Sequence, residues 1–280
     1  MSRSRTLTAL LAGATACAAL LASPAAQGAV DSGTGSIAKP NSQPPSFEEF
    51  EAATHRDPLG QYIVNGDEAL RTTEELRAFY DRMVSSGDTS SQSLIVNTTG
   101  GRDDKWSATQ ARNLTYCVSN NFGTRKSTVV NAMAAGAALW ENASSGINFV
   151  YSSANDASCT TSNYNVVFSV EPVQTSQYIA RAFFPSSPKS GRNVLVDDSL
   201  TTSGWSPANI LGHELGHTLG FRHEHTRPEA GGVCFEDNNW RPLTGYDSAS
   251  IMHYPQCNGS SDDLSFSYTD AQGVRSLYGS

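Results

Sequence analysis

The chain is expected to fold as an α/β or α+β protein, and three observations predict it. From Trp106 onward, strand-like segments rich in β-branched and aromatic residues follow one another around a long helical stretch at 126–142. A second helix opens at Ser206-Pro207 and carries an unusual run of histidines. Beyond His225 the texture is that of loops until a last helical stretch at 269–278. With 280 residues, 38% of them apolar, the chain can hold one large domain plus a smaller N-terminal segment.

Taken in order, Arg3 and Arg5 precede an apolar run from Leu7 to Ala22 and small residues at Ser23–Ala29, the pattern of an export signal cleaved near Ala25 to Ala29. That run is short and Ala-rich, and no later segment approaches the ~18 consecutive apolar residues of a spanning helix. Residues 31–60 are rich in Ser, Gly, Pro and Asn and read as linker. Tyr62–Val64 reads as a short strand ending in an Asn65-Gly66 turn that presents Asp67. A helix is predicted at Thr73–Val84, with Leu76, Phe79, Tyr80 and Met83 on one face and a Thr72/Thr73 cap. Residues 85–93 return to a flexible composition suited to proteolytic processing.

In the main part, strands are predicted at Asn113–Val118, Asn148–Tyr151, Tyr164–Val170 (interior, being nearly continuous in apolar residues), Ile179–Phe184 and Asn193–Val196. The helix at Lys126–Asn142 has Ser127 as its candidate cap and Val129, Val130, Met133, Ala137 and Trp140 on its apolar face. The helix from Ser206 takes the serine hydroxyl as cap and Pro207 as its first residue. Gly216 inside it costs about 1 kcal/mol relative to Ala, which points to close packing or crowding at that position. The closing helix, Thr269–Tyr278, can dock Val274, Leu277 and Tyr278 on the core.

Chemistry concentrates in the Ser206 helix. His213 and His217 are four residues apart and so lie on one face, about 6 Å apart along the axis. Gly220 can end the helix in the left-handed conformation and return the chain so that His223 meets the same ion. Three neutral imidazoles suit Zn²⁺, one per chain, and leave a fourth position open, which is the catalytic arrangement. Glu214, beside the first ligand, is the candidate general base. Five of the six histidines fall between 213 and 253. His225, His253 and His55 are expected to be exposed or to sit behind the ligands. Arg222 and Arg227 would either touch substrate or solvate the loop.

A net charge of −8 with no basic run argues against a nucleic-acid partner. Of the five cysteines, Cys17 lies in the export signal. The other four, Cys117, Cys159, Cys234 and Cys257, form no C-x-x-C pair and suggest two disulfides, with three possible connectivities. Proximity along the chain favours Cys117–Cys159 and Cys234–Cys257. Asp197-Asp198 and Asp262-Asp263 could bind Ca²⁺, but solvated loops are the better reading.

His213-Glu214-Leu215-Gly216-His217-Thr218-Leu219-Gly220-Phe221-Arg222-His223-Glu224 resembles the extended zinc signature of the metzincin clan. Phe221 and Glu224 resemble its astacin branch, and the same stretch is similar to the bacterial dual-action HEIGH metallopeptidases. Ser250-Ile251-Met252-His253-Tyr254 resembles the clan's Met-turn, and Asp270–Gly279 its closing helix. The resemblance spans roughly residues 105–280. It implies an α+β, metzincin-like two-lobed zinc protease: a twisted, mainly parallel five-stranded sheet with two long helices above the cleft, and a loop-rich lower lobe ending in a helix. It further implies that Met252 lies as an apolar floor under the zinc and that Tyr254 is a movable fifth ligand. Val64-Asn65-Gly66-Asp67 resembles the aspartate switch of astacin pro-segments, in which the carboxylate takes the open zinc position. The continuation Arg227-Pro228-Glu229 and the cysteine positions depart from the astacin pattern.

Residues 1–29 are thus expected to be a signal peptide, 30–100 a pro-segment with linker, and 101–280 a catalytic domain. The expected function is secreted zinc endopeptidase, made as a zymogen. A peptide or protein is its substrate, and the chain is a monomer without membrane attachment once the signal is gone. The rival readings are a zinc hydrolase of a non-protein amide or ester, and a non-catalytic zinc-binding adhesion module.

Overall fold

The computed structural model describes residues 45–85, 94–232, 234 and 236–280. The expected export signal, residues 31–44 of the expected linker and most of the processing stretch at 85–93 lie outside them.

Residues 45–60, expected as linker, instead open with helix α1 (Phe47–Ala53) and strand β1 (His55–Arg56). A Ser46–Glu49 capping box satisfies the first turn of α1 in both directions. Strands β2 (Tyr62–Val64) and β3 (Glu68–Leu70) form a hairpin closed by residues 65–67, and β1 completes a three-stranded antiparallel sheet. Helix α2 (Thr73–Ser85) follows as expected, with Thr72 accepting from the Glu75 amide. Phe47, Tyr62, Val64, Leu76 and Phe79 make a small apolar cluster of their own.

Strand β4 (Ile95–Thr99) pairs with β5 (Arg102–Asp103) and with a late strand, forming a second small sheet that periodicity did not reveal. After α3 (Ala108–Ala111) come β6 (Leu114–Val118), α4 (Lys126–Glu141), β7 (Phe149–Tyr151), β8 (Phe168–Pro172), β9 (Ala180–Arg181) and β10 (Asn193–Val196). The main sheet has the order β7-β6-β8-β10-β9; the first four strands are parallel and β9 runs antiparallel along the edge. Helix α5 (Pro207–Thr218) packs beside α4 over this sheet, and the loop-rich lower lobe carries β11 (Trp240–Pro242), β4's partner, and α6 (Tyr268–Tyr278). The result is the two-lobed α+β architecture expected, with a mixed sheet, two packed helices and a C-terminal helix.

Several local expectations need correction. The strand at 164–170 begins only at Phe168, and Tyr164 is exposed, because 160–167 turns through loops before it pairs. Ser127 does not cap α4; a 3-10 turn over Asn120–Arg125, capped by Ser119, runs straight into it. Ser206 likewise makes no side-chain cap, leaving Pro207 as the start signal. The strand expected at 179–184 is short at Ala180–Arg181, with one further bridge at Ala182.

The main core joins both lobes. Met133, Trp140, Leu211, Leu215, Phe221, Ile251 and Met252 belong to one buried cluster with the inner face of the sheet. The closing stretch Ser267–Asp270 forms a capping box, and Asp270 also accepts from the Ile251 amide (2.9 Å) and from Ser250 Oγ (2.5 Å). One buried carboxylate thereby ties α6 to the Met252 turn. Cys117 is bonded to Cys159 and Cys234 to Cys257. Asp197 accepts from Ser199 and Thr175, and Asp198 pairs with Arg125, so this acidic pair is used within the fold.

Candidate metal centre and active site

Helix α5 carries His213, Glu214 and His217, all buried. Gly216 faces the Met252 turn so closely that an added Cβ would lie 2.4 Å from Met252 Sδ and 2.9 Å from Trp140. A side chain there would push α5 off its floor. Gly220 has φ 97°, and a Cβ would meet Asp104 O at 2.0 Å, so only glycine makes this turn. Beyond it the chain is clamped to β4, by Asn97 N donating to Gly220 O (2.8 Å) and Arg222 N to Ile95 O (3.0 Å). That clamp sets where His223 goes.

The three imidazoles converge through Nε2. His223 Nε2 lies 3.1 Å from His213 Nε2 and 3.2 Å from His217 Nε2. A tetrahedral site with Zn–N of about 2.0–2.1 Å places its ligand atoms about 3.3 Å apart. The outward nitrogens are all engaged: His213 Nδ1 with Ile251 O (2.7 Å), His217 Nδ1 with Phe221 O (2.8 Å) and His223 Nδ1 with Glu236 Oε1 (2.6 Å). A proton held at each Nδ1 leaves the Nε2 lone pairs facing inward, the tautomer a metal needs. Three such lone pairs in contact would repel unless a cation sat among them. Asp67 adds a fourth donor, with Oδ2 at 3.1 Å from His213 Nε2, 3.3 Å from His223 Nε2 and 3.5 Å from His217 Nε2. Asp67 Oδ1 and Glu214 Oε2 are buried with no hydrogen-bond partner among the described residues. The donor set fits Zn²⁺.

Tyr254 donates a short hydrogen bond from its hydroxyl to Asp67 Oδ2 and stacks its ring on His213 at 5.2 Å between centroids. Met252 is fully buried beneath α5. Burial and then the negative charge of Asp67 push the Glu214 carboxyl well above its ordinary range. Tyr254 is raised by burial, then by Asp67 and Glu214, and keeps its proton. Beside Glu214 and Tyr254 opens a cavity of about 190 Å³ lined by apolar groups including Tyr178, Trp205, Ile210 and Leu264.

One participant escaped the sequence reading. Glu236 spans His223 Nδ1 and His225 Nε2 (3.2 Å) with one oxygen and takes Arg222 Nη2 (3.0 Å) on the other. It can grip the third ligand from behind and set its tautomer. No motif announced it, since it lies thirteen residues past His223 in an irregular loop. The same network corrects the expectation for the arginines. Arg222 is buried among Glu236, Asp237 and Glu68, and Arg227 is fully buried between Glu224 and Glu229. His225 and His253 are buried as well: His225 Nδ1 accepts from Tyr254 N and His253 Nε2 meets Tyr246 Oη (2.9 Å).

Residues 105–230 match the family model of the matrixin peptidases, Peptidase_M10. Over that stretch the chain is similar to the matrixin-type metzincins. The matched stretch covers the three histidines and Glu214 and ends before Glu236, Met252 and Tyr254. This overturns the astacin-like and HEIGH-type assignment. That assignment rested on a few marks around a zinc signature which the whole clan shares, whereas the matrixin match runs through the sheet and both long helices. No curated protein matches the chain. Matrixin likeness and the histidine cluster together make this a zinc metalloendopeptidase, with one Zn²⁺ site and a protein or peptide as substrate. No described helix is long and apolar enough to cross a membrane.

Proposed function

We propose that this is a secreted endopeptidase made as a zymogen, in which Asp67 caps the metal centre until residues 30 to about 93 are removed. The observation that carries the reading is Asp67 Oδ2 standing within 3.5 Å of all three inward Nε2 atoms. The Ala182 amide also donates to Asp67 O (3.3 Å), and Glu68 bridges Ala182, so the pro-segment occupies the exposed edge of β9 as well. An extended peptide would use that edge through main-chain hydrogen bonds. Since β4 is built into the main core, the cut would fall before Leu94. Residues 1–29, as the export signal, are part of the proposal.

When bound, Zn²⁺ polarises the scissile carbonyl and acidifies a water. His213, His217 and His223 hold it, each fixed by its Nδ1 partner. Glu214 takes the proton of the attacking water and delivers it to the leaving amine. Release of Asp67 takes away one of the two influences that raise Glu214, returning it toward the ionised form a base requires. The same release frees the Tyr254 hydroxyl to donate to the oxyanion. The apolar cavity beside Glu214 is placed to receive a substrate side chain. Met252 supports α5 from below and takes no part in the chemistry.

The test is casein hydrolysis by the uncut chain. Asp67→Asn should raise it about tenfold or more, because the competent state no longer competes with a carboxylate lid. A chelator should abolish it. Equal activity of the uncut wild type and its processed form would remove the zymogen reading while leaving the endopeptidase intact.

A further inference from the structure

A second acid of the pro-segment reaches the catalytic part away from the metal. Asp57 Oδ2 lies 2.7 Å from Arg181 Nη2, and both side chains are completely buried. Its Oδ1 accepts from the Leu59 and Gln61 amides (2.8 and 2.9 Å), so the β1–β2 turn presents this carboxylate in one fixed pose. Arg181 sits on edge strand β9, beside the Ala182 amide that already donates to the pro-segment's main chain at Asp67 O. Its Nη1 donates to Asn193 Oδ1 (2.9 Å) and Asn193 O (3.2 Å). Arg181 and Leu195 are cross-strand partners, so both face the side of the sheet opposite Ala180 and Ala182, which belong to the main core. On that outer side Ile63 of the pro-segment covers Val173, Tyr178 and Leu195. Arg181 Nε and Tyr178 Oη are buried there without a hydrogen-bond partner among the described residues. Arg181 is close enough to the centre for its charge to bear on Glu214.

Resting on the reading that the pro-segment is shed, we infer that Arg181 and Asn193 form a carboxylate-binding subsite of the substrate cleft, which Asp57 fills in the uncut chain. A guanidinium fixed in an apolar wall and stripped of its partner is an uncompensated charge. A peptide strand that adds to β9 puts alternate side chains on Arg181's face of the sheet. An Asp or Glu at the residue opposite Arg181 replaces Asp57. The enzyme therefore selects an acidic residue at one position of its substrate, and the pro-segment carries a copy of that acid. The same Asp57 contact anchors the pro-segment at a second point, remote from the zinc ligands.

The experiment starts from the full-length protein, nicked by limited proteolysis, with N-terminal sequencing to establish that Asp57 and Asp67 are gone. It is given a parent peptide containing only neutral residues and a set in which Glu replaces Gln at successive positions around the cleaved bond. One position should show kcat/KM at least about tenfold higher for Glu than for Gln, the least expected of a close charge pair. In Arg181→Gln that ratio should fall to about one. If the wild type cleaves the parent but gains nothing from Glu at any position, the subsite is wrong although the protease reading stands. A ratio that survives in Arg181→Gln overturns it too. If the nicked chain cleaves no peptide, the zymogen reading falls and the subsite with it. The wild-type profile decides the matter even where the variant fails to fold.

Discussion

The helices that carry the metal centre and the segment that covers it are joined to the protein by different forces. Between α4 and α5 the contact is apolar and close. An added Cβ on Gly136 would lie 2.6 Å from Gly212 N, and Trp140 is buried against Phe221 while its indole donates to Gly212 O (2.8 Å). Residues 45–85 keep a separate small core and reach the rest largely through acids and bases: Asp57 on Arg181, Asp67 on the imidazoles, Glu68 on Arg222, and Arg82 on Asp237. Apolar burial is non-directional and holds the two lobes permanently. A charged joint depends on its particular partner, and the partner remains competent to bind another ligand when the first is removed. The covering segment is attached in the manner of a bound ligand.

If apolar packing alone sets the position of α5, its base can be exchanged without disturbing the helix. Glu214→Gln should lower kcat/KM on casein by about a thousandfold. Its zinc content by elemental analysis should stay at one per chain, and loss of the metal would show that the carboxylate also holds the site together.

The two joints should also unfold separately. Trp140→Ala should destabilise the whole molecule by about 3–5 kcal/mol in denaturant melts. Phe79→Ala, in the small core, should open only residues 45–85 to hydrogen exchange while α4 and α5 stay protected. Global unfolding of Phe79→Ala would erase the distinction.

Behind the metal, Glu236→Gln should weaken zinc binding about 10–100-fold in a chelator competition, since His223 would lose the carboxylate that sets its tautomer. A wild-type affinity would reduce Glu236 to a partner of Arg222.

The smallest expected effect concerns the tie between α6 and the Met252 turn. Burial raises Asp270 from 3.8 to about 6. An acid raised in the folded state contributes most below its unfolded value and loses that contribution as the pH climbs through its folded one. The stability deficit of Asp270→Asn should therefore be larger at pH 4 than at pH 7, by about 1–2 kcal/mol. A deficit that grows with pH would contradict the assignment.

Legibility followed the range of the interactions. The α4 periodicity, Pro207 at the start of α5, the Gly220 turn and the spacing of His213, His217 and His223 are local, and each stood in the chain before any contact was known. Helix α1 was hidden because Ser and Pro around it read as linker, although Ser46 and Glu49 spell out a capping box. Strand β4 was missed because, apart from the two-residue β5, its partners are more than a hundred residues away, at Phe221 and Trp240–Pro242. The likeness to the matrixins was missed because it is spread over residues 105–230, while the signature that was read is common to the clan.

By itself the sequence pointed to a zinc site built on His213, His217 and His223 with Glu214 beside them, because helix geometry turns a four-residue spacing into a shared face. Only the tertiary structure decided which acids meet these groups. Asp57 meets Arg181 from 124 residues away and Glu236 meets His223 across an irregular loop, whereas Asp67 was already expected at the metal from the stretch Val64–Asp67. A carboxylate's role depends on the cation it is buried against, and no local pattern encodes that partner.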